Sequence, residues 1–166
     1  QDVSSATYGS VISNIMTAGI KMTNGGLYYV EALWKEGSGN DGVALTFREA
    51  ADASTPPASE IAGNKYFSPV VPDFYPVRVD VYTGLSGNTG QDLTNFLNSV
   101  ACANGLASTT FMTNIFGFYP TLPSPGYTDN YAAKITAYFV ASSNGFYRFY
   151  TRGDDATQIY MNTNAA

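Results

Sequence analysis

Apolar and polar residues alternate with a period of two along several stretches of this chain, and those stretches predict strands. In Leu27–Trp34 (LYYVEALW), Tyr28, Val30, Ala32 and Trp34 share one face and Tyr29, Glu31 and Leu33 the other. A Gly-rich turn, KEGSGNDG, follows, and a second apolar run, VALTF at 43–47, makes the segment read as a hairpin. Asn24-Gly25-Gly26 ahead of the first run and the glycines behind it are breakers, which disfavours a helix there. Further along, VRVDVY (77–82), KITAYFVA (134–141) and FYRFYTR (146–152) alternate in the same way, the last two around a Ser-Ser-Asn-Gly turn at 142–145. QIYM at 158–161 predicts a short final strand.

Helical spacing occurs once, over 91–103, where Leu93, Phe96, Leu97 and Val100 recur behind Asp92 and predict one short capped helix. The 50–60 stretch, with Pro56-Pro57, predicts a surface loop. SPVVPDFYP at 68–76 predicts an extended connector, because its three prolines cannot donate ladder hydrogen bonds. The aromatic and Pro-rich stretch 111–127 predicts irregular structure. The fold class expected from this pattern is all-β with one core and at most one short helix.

Composition agrees with the pattern. With 13 Tyr, 10 Phe and 16 Gly among 166 residues, the chain suits pleated, half-buried surfaces joined by turns. Only 13% of residues are charged, the net charge is −5, and the eight basic residues are scattered, which argues against nucleic acid as a partner. No apolar run approaches the about 20 residues that cross a bilayer as a helix, so membrane insertion is not expected. Low charge with abundant Ser, Thr, Asn and Gly suits an exported protein, one whose leader has been removed. No Asn-X-Ser/Thr sequon is present.

The chemistry available is narrow. The chain has no histidine, which excludes Ser-His-Asp and Cys-His nucleophiles and histidine-ligated zinc. Cys102 has no second cysteine to pair with and reads as a small apolar residue of the interior. Trp34, Tyr28 and Tyr29 read as core rather than as sugar-stacking faces, since they alternate on a central strand. Glu31 and Glu36 do not make a glycosidase pair, a strand-borne Glu beside Lys35 being an exposed or ion-paired residue by default. Arg152-Gly153-Asp154 spells an integrin-binding tripeptide that chance accounts for. No acid, base and nucleophile converge, so no enzyme is expected.

Two segments carry a family resemblance. DNYAAKITAYFVASSNGFYRFYTRGDDATQIYMN (129–162) resembles the first half of the protective-antigen-type domain, the lectin-like β-sandwich of flocculins and other secreted glycan-active proteins. GIKMTNGGLYYVEALWKEGSGNDGVALTF (19–47) is similar to the second half of the same domain, so the halves stand in reverse order. The division expected is 1–67 for the second half, 68–76 for the connector and 77–166 for the first half. Joining Ala166 to Gln1 on paper gives a continuous family-like sequence, which fits a circular permutation, a repeat cut from a tandem array, or a subunit completed by a neighbour. The last of these would build head-to-tail filaments or rings.

The resemblance implies an antiparallel, jelly-roll-like sandwich and an extracellular, non-catalytic module for adhesion or carbohydrate binding. Asp154 and Asp155 match the Asp-Asp pair with which family lectins hold Ca²⁺, and Asn40 and Asp41 of the Gly-rich turn match, more loosely, the oxygen donors of the other half. A Ca²⁺ there would engage glycan hydroxyls. The alternative implied is a structural repeat of an extracellular filament, with copies of the chain as its partners.

Overall fold

In a computed structural model the chain is an antiparallel β-sandwich; the residues described are 13–14, 19–37, 42–49, 51–54, 77–85, 92–104, 106–112, 116–118, 129–154 and 156–162. Among the described residues ten strands are arranged in two sheets: β1 (Ser13–Asn14), β2 (Ile20–Met22), β3 (Leu27–Glu36), β4 (Gly42–Glu49), β5 (Val77–Tyr82), β6 (Leu106–Met112), β7 (Gly117–Phe118), β8 (Tyr131–Val140), β9 (Gly145–Asp154) and β10 (Ala156–Met161). The first sheet runs β1-β9-β4-β7, with β2 also on β9; the second runs β10-β3-β8-β5-β6. The predicted connector at 68–76 and most of the 50–60 loop lie outside the described residues.

Strand positions follow the alternation, but strand partners do not. β3 and β4 do not form the predicted hairpin: β3 pairs with β8 and β10 in one sheet, and β4 with β9 and β7 in the other. The same correction applies to 134–152, where β8 and β9 lie in opposite sheets. The turn at 142–145 is therefore an arch between the two sheets, as is the one at 23–26 between β2 and β3. Alternation fixes which side chains face the core; an arch and a hairpin satisfy it equally.

Tyr147 holds the arch at 142–145 and Tyr28 the one at 23–26. The Tyr147 hydroxyl accepts from Ser143 N (3.0 Å), donates to the Ser143 carbonyl (3.1 Å) and lies 3.0 Å from Ser143 Oγ. That arch is clasped to the one at 23–26, where Gly25 N donates to the Ala141 carbonyl and Asn24 N to Asn144 Oδ1. Gly25 takes φ +74°, a conformation suited to glycine. Thr23 N donates to the Tyr28 hydroxyl at 2.8 Å.

Between the sheets, Tyr28, Val30, Ala32 and Trp34 of β3 and Ile135, Ala137 and Phe139 of β8 face Val43 and Leu45 of β4 and Tyr147 and Phe149 of β9. Phe139 is the hub, with Phe47, Phe149 and Tyr147 packed edge-on at 4.9, 5.0 and 5.5 Å. Trp34 and Tyr28 are core residues, as predicted, while Tyr29 is half-buried. Residues from both sides of the connector share this core.

The helical window holds two consecutive short segments, α1 (Asp92–Leu97) and α2 (Val100–Asn104). Leu93 and Phe96 cover Leu33, Tyr82, Ala132 and Ala156 on the outer face of the second sheet, and Cys102 packs half-buried against that second cluster. β6 and β7 lie partly in stretches for which no strand is predicted. Among the described residues no helix is long and apolar enough to cross a membrane.

Candidate functional site

At one end of the sandwich β4 begins where β9 ends. Gly42 pairs with Asp154, Val43 with Gly153 and Ala44 with Arg152. Gly153 lies tight against the opposite sheet: a Cβ there would stand 3.0 Å from both Trp34 Cδ1 and Thr157 Cβ. Thr151 Oγ1 lies 3.2 Å from the Ala44 carbonyl, to which it donates, and 3.3 Å from Thr157 Oγ1. Trp34 stacks edge-on against Tyr131 at 5.0 Å. Asn130, at φ +55°, donates its N–H to the Gly37 carbonyl and accepts at its own carbonyl from Leu85 N, which fixes the point where the chain leaves β3.

The polar residues of this end depart from expectation in one respect. Lys35 and Glu36 are 1% and 0% exposed, not surface residues, and Arg152 is 1% exposed. Lys35 Nζ donates to the Glu36 carbonyl. Buried charges of this kind are costly unless they are satisfied within the protein. The tripeptide 152–154 is part of β9, with Arg152 and Gly153 buried, and is not displayed for recognition. Glu31 and Glu36 are five residues apart on β3 and project from opposite faces, so they share no cleft.

Of the four predicted calcium ligands, Asp154 is placed by its backbone, opposite Gly42; Asn40, Asp41 and Asp155 lie outside the described residues. Among the described residues no three of Cys, Asp and Glu gather as a metal group. What fits the ion is the donor chemistry and the register. Asn and Asp side chains are hard oxygen donors, and the residue that follows Asp41 in the chain pairs with Asp154.

A second group of polar and aromatic side chains, on the outer face of the second sheet, is not among the predicted site residues. The Tyr29 hydroxyl donates to Glu31 Oε2 (2.8 Å), and the Tyr29 and Tyr138 rings meet edge-on at 5.9 Å. Asp80 Oδ1 accepts from Arg78 Nε (2.9 Å) and from Thr109 Oγ1 (2.7 Å). Burial, then the hydrogen bond to Glu31, pushes the Tyr29 hydroxyl well above the usual tyrosine range. Burial, then the Asp80 charge, raises Tyr82. The signal was present in the polar phase of VRVDVY and KITAYFVA, which places Arg78, Asp80, Lys134, Thr136 and Tyr138 on one face once those strands are known to be neighbours.

Comparison with known proteins finds no matching family model, no matching curated protein and no matching solved structure.

Proposed function

We propose that the chain is an extracellular, non-catalytic carbohydrate-binding module of adhesive type that takes its glycan in a calcium-dependent way at the end where Gly42 faces Asp154. One observation carries this reading: the register of β4 and β9 joins Gly42, from the N-terminal half, to Asp154, from the C-terminal half. The two segments that the family resemblance names as ligand-bearing are thereby neighbours in the sheet. Asp154 and Asp155, with Asn40 and Asp41, would hold the ion. Bound there, Ca²⁺ supplies open coordination positions for a pair of sugar hydroxyls. Trp34 and Thr157 of the opposite sheet pack beneath this end against Gly153.

The alternative, a structural repeat that completes its sandwich with a neighbouring copy, is less well supported. β10 pairs with β3 of the same chain, and each sheet contains strands from both halves, which favours a self-contained module.

Calcium titration of the full chain by calorimetry, followed by a glycan array with and without chelator, tests the proposal. Saturable calcium uptake is expected, together with binding to at least one arrayed glycan that is lost in chelator and in Asp155→Ala. Absence of calcium uptake, or no binding across a broad glycan panel, overturns it.

A further inference from the structure

Clear of the helix-covered cluster, the outer face of the second sheet is a flat array of aromatic and polar side chains set in rows by the strand register. Tyr160, Glu31, Thr136 and Arg78 form one row across β10, β3, β8 and β5. Tyr29 opposite Tyr138 belongs to the row on one side, and Lys134 opposite Asp80 to the row on the other. Arg78 and Tyr160 are exposed, Asp80 is buried, and the others are half-exposed. With strands about 4.8 Å apart and same-face residues about 7 Å apart along a strand, Tyr160 and Tyr138 stand about 12 Å from each other across two strand spacings. That span is longer than one pyranose ring.

Three properties of this face narrow its ligand. Its charge balances, with Glu31 and Asp80 against Arg78 and Lys134, so it offers a polyanion no excess of cations. The aliphatic side chains of this face stand at its margins: Leu33, opposite Lys134, is buried in the helix-covered cluster, and Leu27 opposite Val140, both half-buried, lie beyond Tyr29 and Tyr138, so the centre of the array is aromatic and polar. What it presents is tyrosine rings, apolar in body and polar at the tip, interleaved with carboxylate, guanidinium and hydroxyl groups. A sugar chain has the complementary surface, with apolar C–H faces rimmed by hydroxyls that both donate and accept.

Part of the array is ordered in advance. Tyr29 is tied to Glu31 by its hydroxyl, and the exposed Arg78 is held by Nε on Asp80, itself 4% exposed and fixed from the other side by Thr109. Side chains that are already held lose less freedom on binding.

We infer that this face is a metal-independent platform for a neutral polysaccharide chain, with Tyr160, Tyr29 and Tyr138 against the sugar rings and Glu31 and Arg78 hydrogen-bonded to their hydroxyls. It does not rest on the calcium reading, since none of its residues belongs to the Gly42 and Asp154 end.

The test is retention of the full chain on neutral polysaccharides (a β-glucan, a mannan, a galactan and starch) with chelator present throughout. Retention on at least one is expected, weakened about tenfold by Tyr160→Ala and by Glu31→Gln. Tyr160 is 38% exposed, so its truncation should leave the unfolding midpoint in place, and Tyr138→Ala gives a second reading of the same surface. Phe146→Ala, which trims an exposed ring on the first sheet, should bind as the parent does. No retention on any of the four polymers in chelator overturns the platform, as does undiminished retention of both tyrosine variants, or stronger binding to a sulfated polysaccharide or an unrelated protein. Glycan binding that appears only with calcium overturns the platform and leaves the calcium site standing. Retention in chelator by a chain that takes up no calcium does the reverse.

Discussion

Removing a single oxygen atom, in Tyr147→Phe, tests the arch between β8 and β9. The ring is fully buried and would keep its packing against Phe139 at 5.5 Å and Phe47 at 5.8 Å, so no cavity opens. What is lost is an acceptor for Ser143 N and a donor to the Ser143 carbonyl, together with the hydroxyl contact to Ser143 Oγ. A part-buried backbone donor left without its acceptor costs about 1–3 kcal/mol. For a chain of this length about 2–4 °C of melting temperature accompanies each kcal/mol, so the midpoint should fall by roughly 2–12 °C. Chemical denaturation read by far-ultraviolet circular dichroism gives the free energy directly, and calorimetry gives the midpoint. Ser143→Ala, which spares both backbone contacts of Tyr147, should cost about 1 kcal/mol or less. Were Tyr147→Phe to lie within about 0.5 kcal/mol of the parent, or were Ser143→Ala the more damaging change, the hydroxyl would not be what holds the arch.

Gly117→Ala should destabilise by about 2–4 kcal/mol in urea unfolding, since a Cβ there would overlap the Val43 carbonyl oxygen and stand 2.9 Å from Ala44 Cα at a φ of +146°; parent-like stability would contradict the β4–β7 packing. Gly153→Ala should cost about 1–3 kcal/mol through its approach to Trp34 and Thr157, and Thr157→Ser, by removing the Cγ2 that lies 3.2 Å from that Cβ, should recover part of the loss; strict additivity of the two changes would place the strain elsewhere. Alkaline pH should unfold the protein through Tyr29 and Tyr82. Both hold their protons more tightly when folded, so their contribution is complete below the ordinary value of 10.0 and is lost as pH rises through the raised folded values. Tyr29→Phe should flatten the decline seen in denaturation curves above that pH, and an unchanged slope would refute the assignment to Tyr29.

Strand positions were legible because one face of each strand is buried, and a period of two is then unavoidable. β8 from Ala133 onward and the first part of β3 show it directly in their burial. Partner choice was not legible: Val43–Phe47 buries the same residues whether it returns beside β3 or crosses above it, and only the second sheet's occupancy by β8 and β10 decides. β6 was missed because LASTTFM has a polar centre and, at the sheet's edge, a single partner. The buried Lys35, Glu36 and Arg152 were missed for a related reason, since alternation assigns charged residues to water and cannot register that both faces of a strand end are covered. Of the candidate calcium site, the donor types and the Asp154 position were readable, whereas its opposition to Gly42 depends on β4 and β9 sharing a sheet.

The order of the halves matters less to this architecture than their interleaving. In the N-terminal half the chain visits the first, second and first sheets through β2, β3 and β4; in the C-terminal half it visits the second, first and second through β8, β9 and β10. Each half thus supplies what the other lacks, with β3 inserted between β10 and β8, and β9 between β2 and β4. Of these six strands none has two neighbours from its own half; in the C-terminal half β5, between β6 and β8, does, but β8, β9 and β10 each still need a strand of the N-terminal half. Both candidate binding surfaces inherit that dependence. The end of the sandwich needs Gly42 from one half and Asp154 from the other, and the outer face needs Tyr29 and Glu31 of β3 beside Tyr160 of β10 and Tyr138 of β8. Because β3 runs from the second surface toward the first, its ten-residue register with β8 fixes one relative to the other. A slip of one residue would turn Tyr29 and Glu31 into the core and expose Trp34, a change that buried Trp34 and Tyr131 in edge-on contact oppose at 5.0 Å.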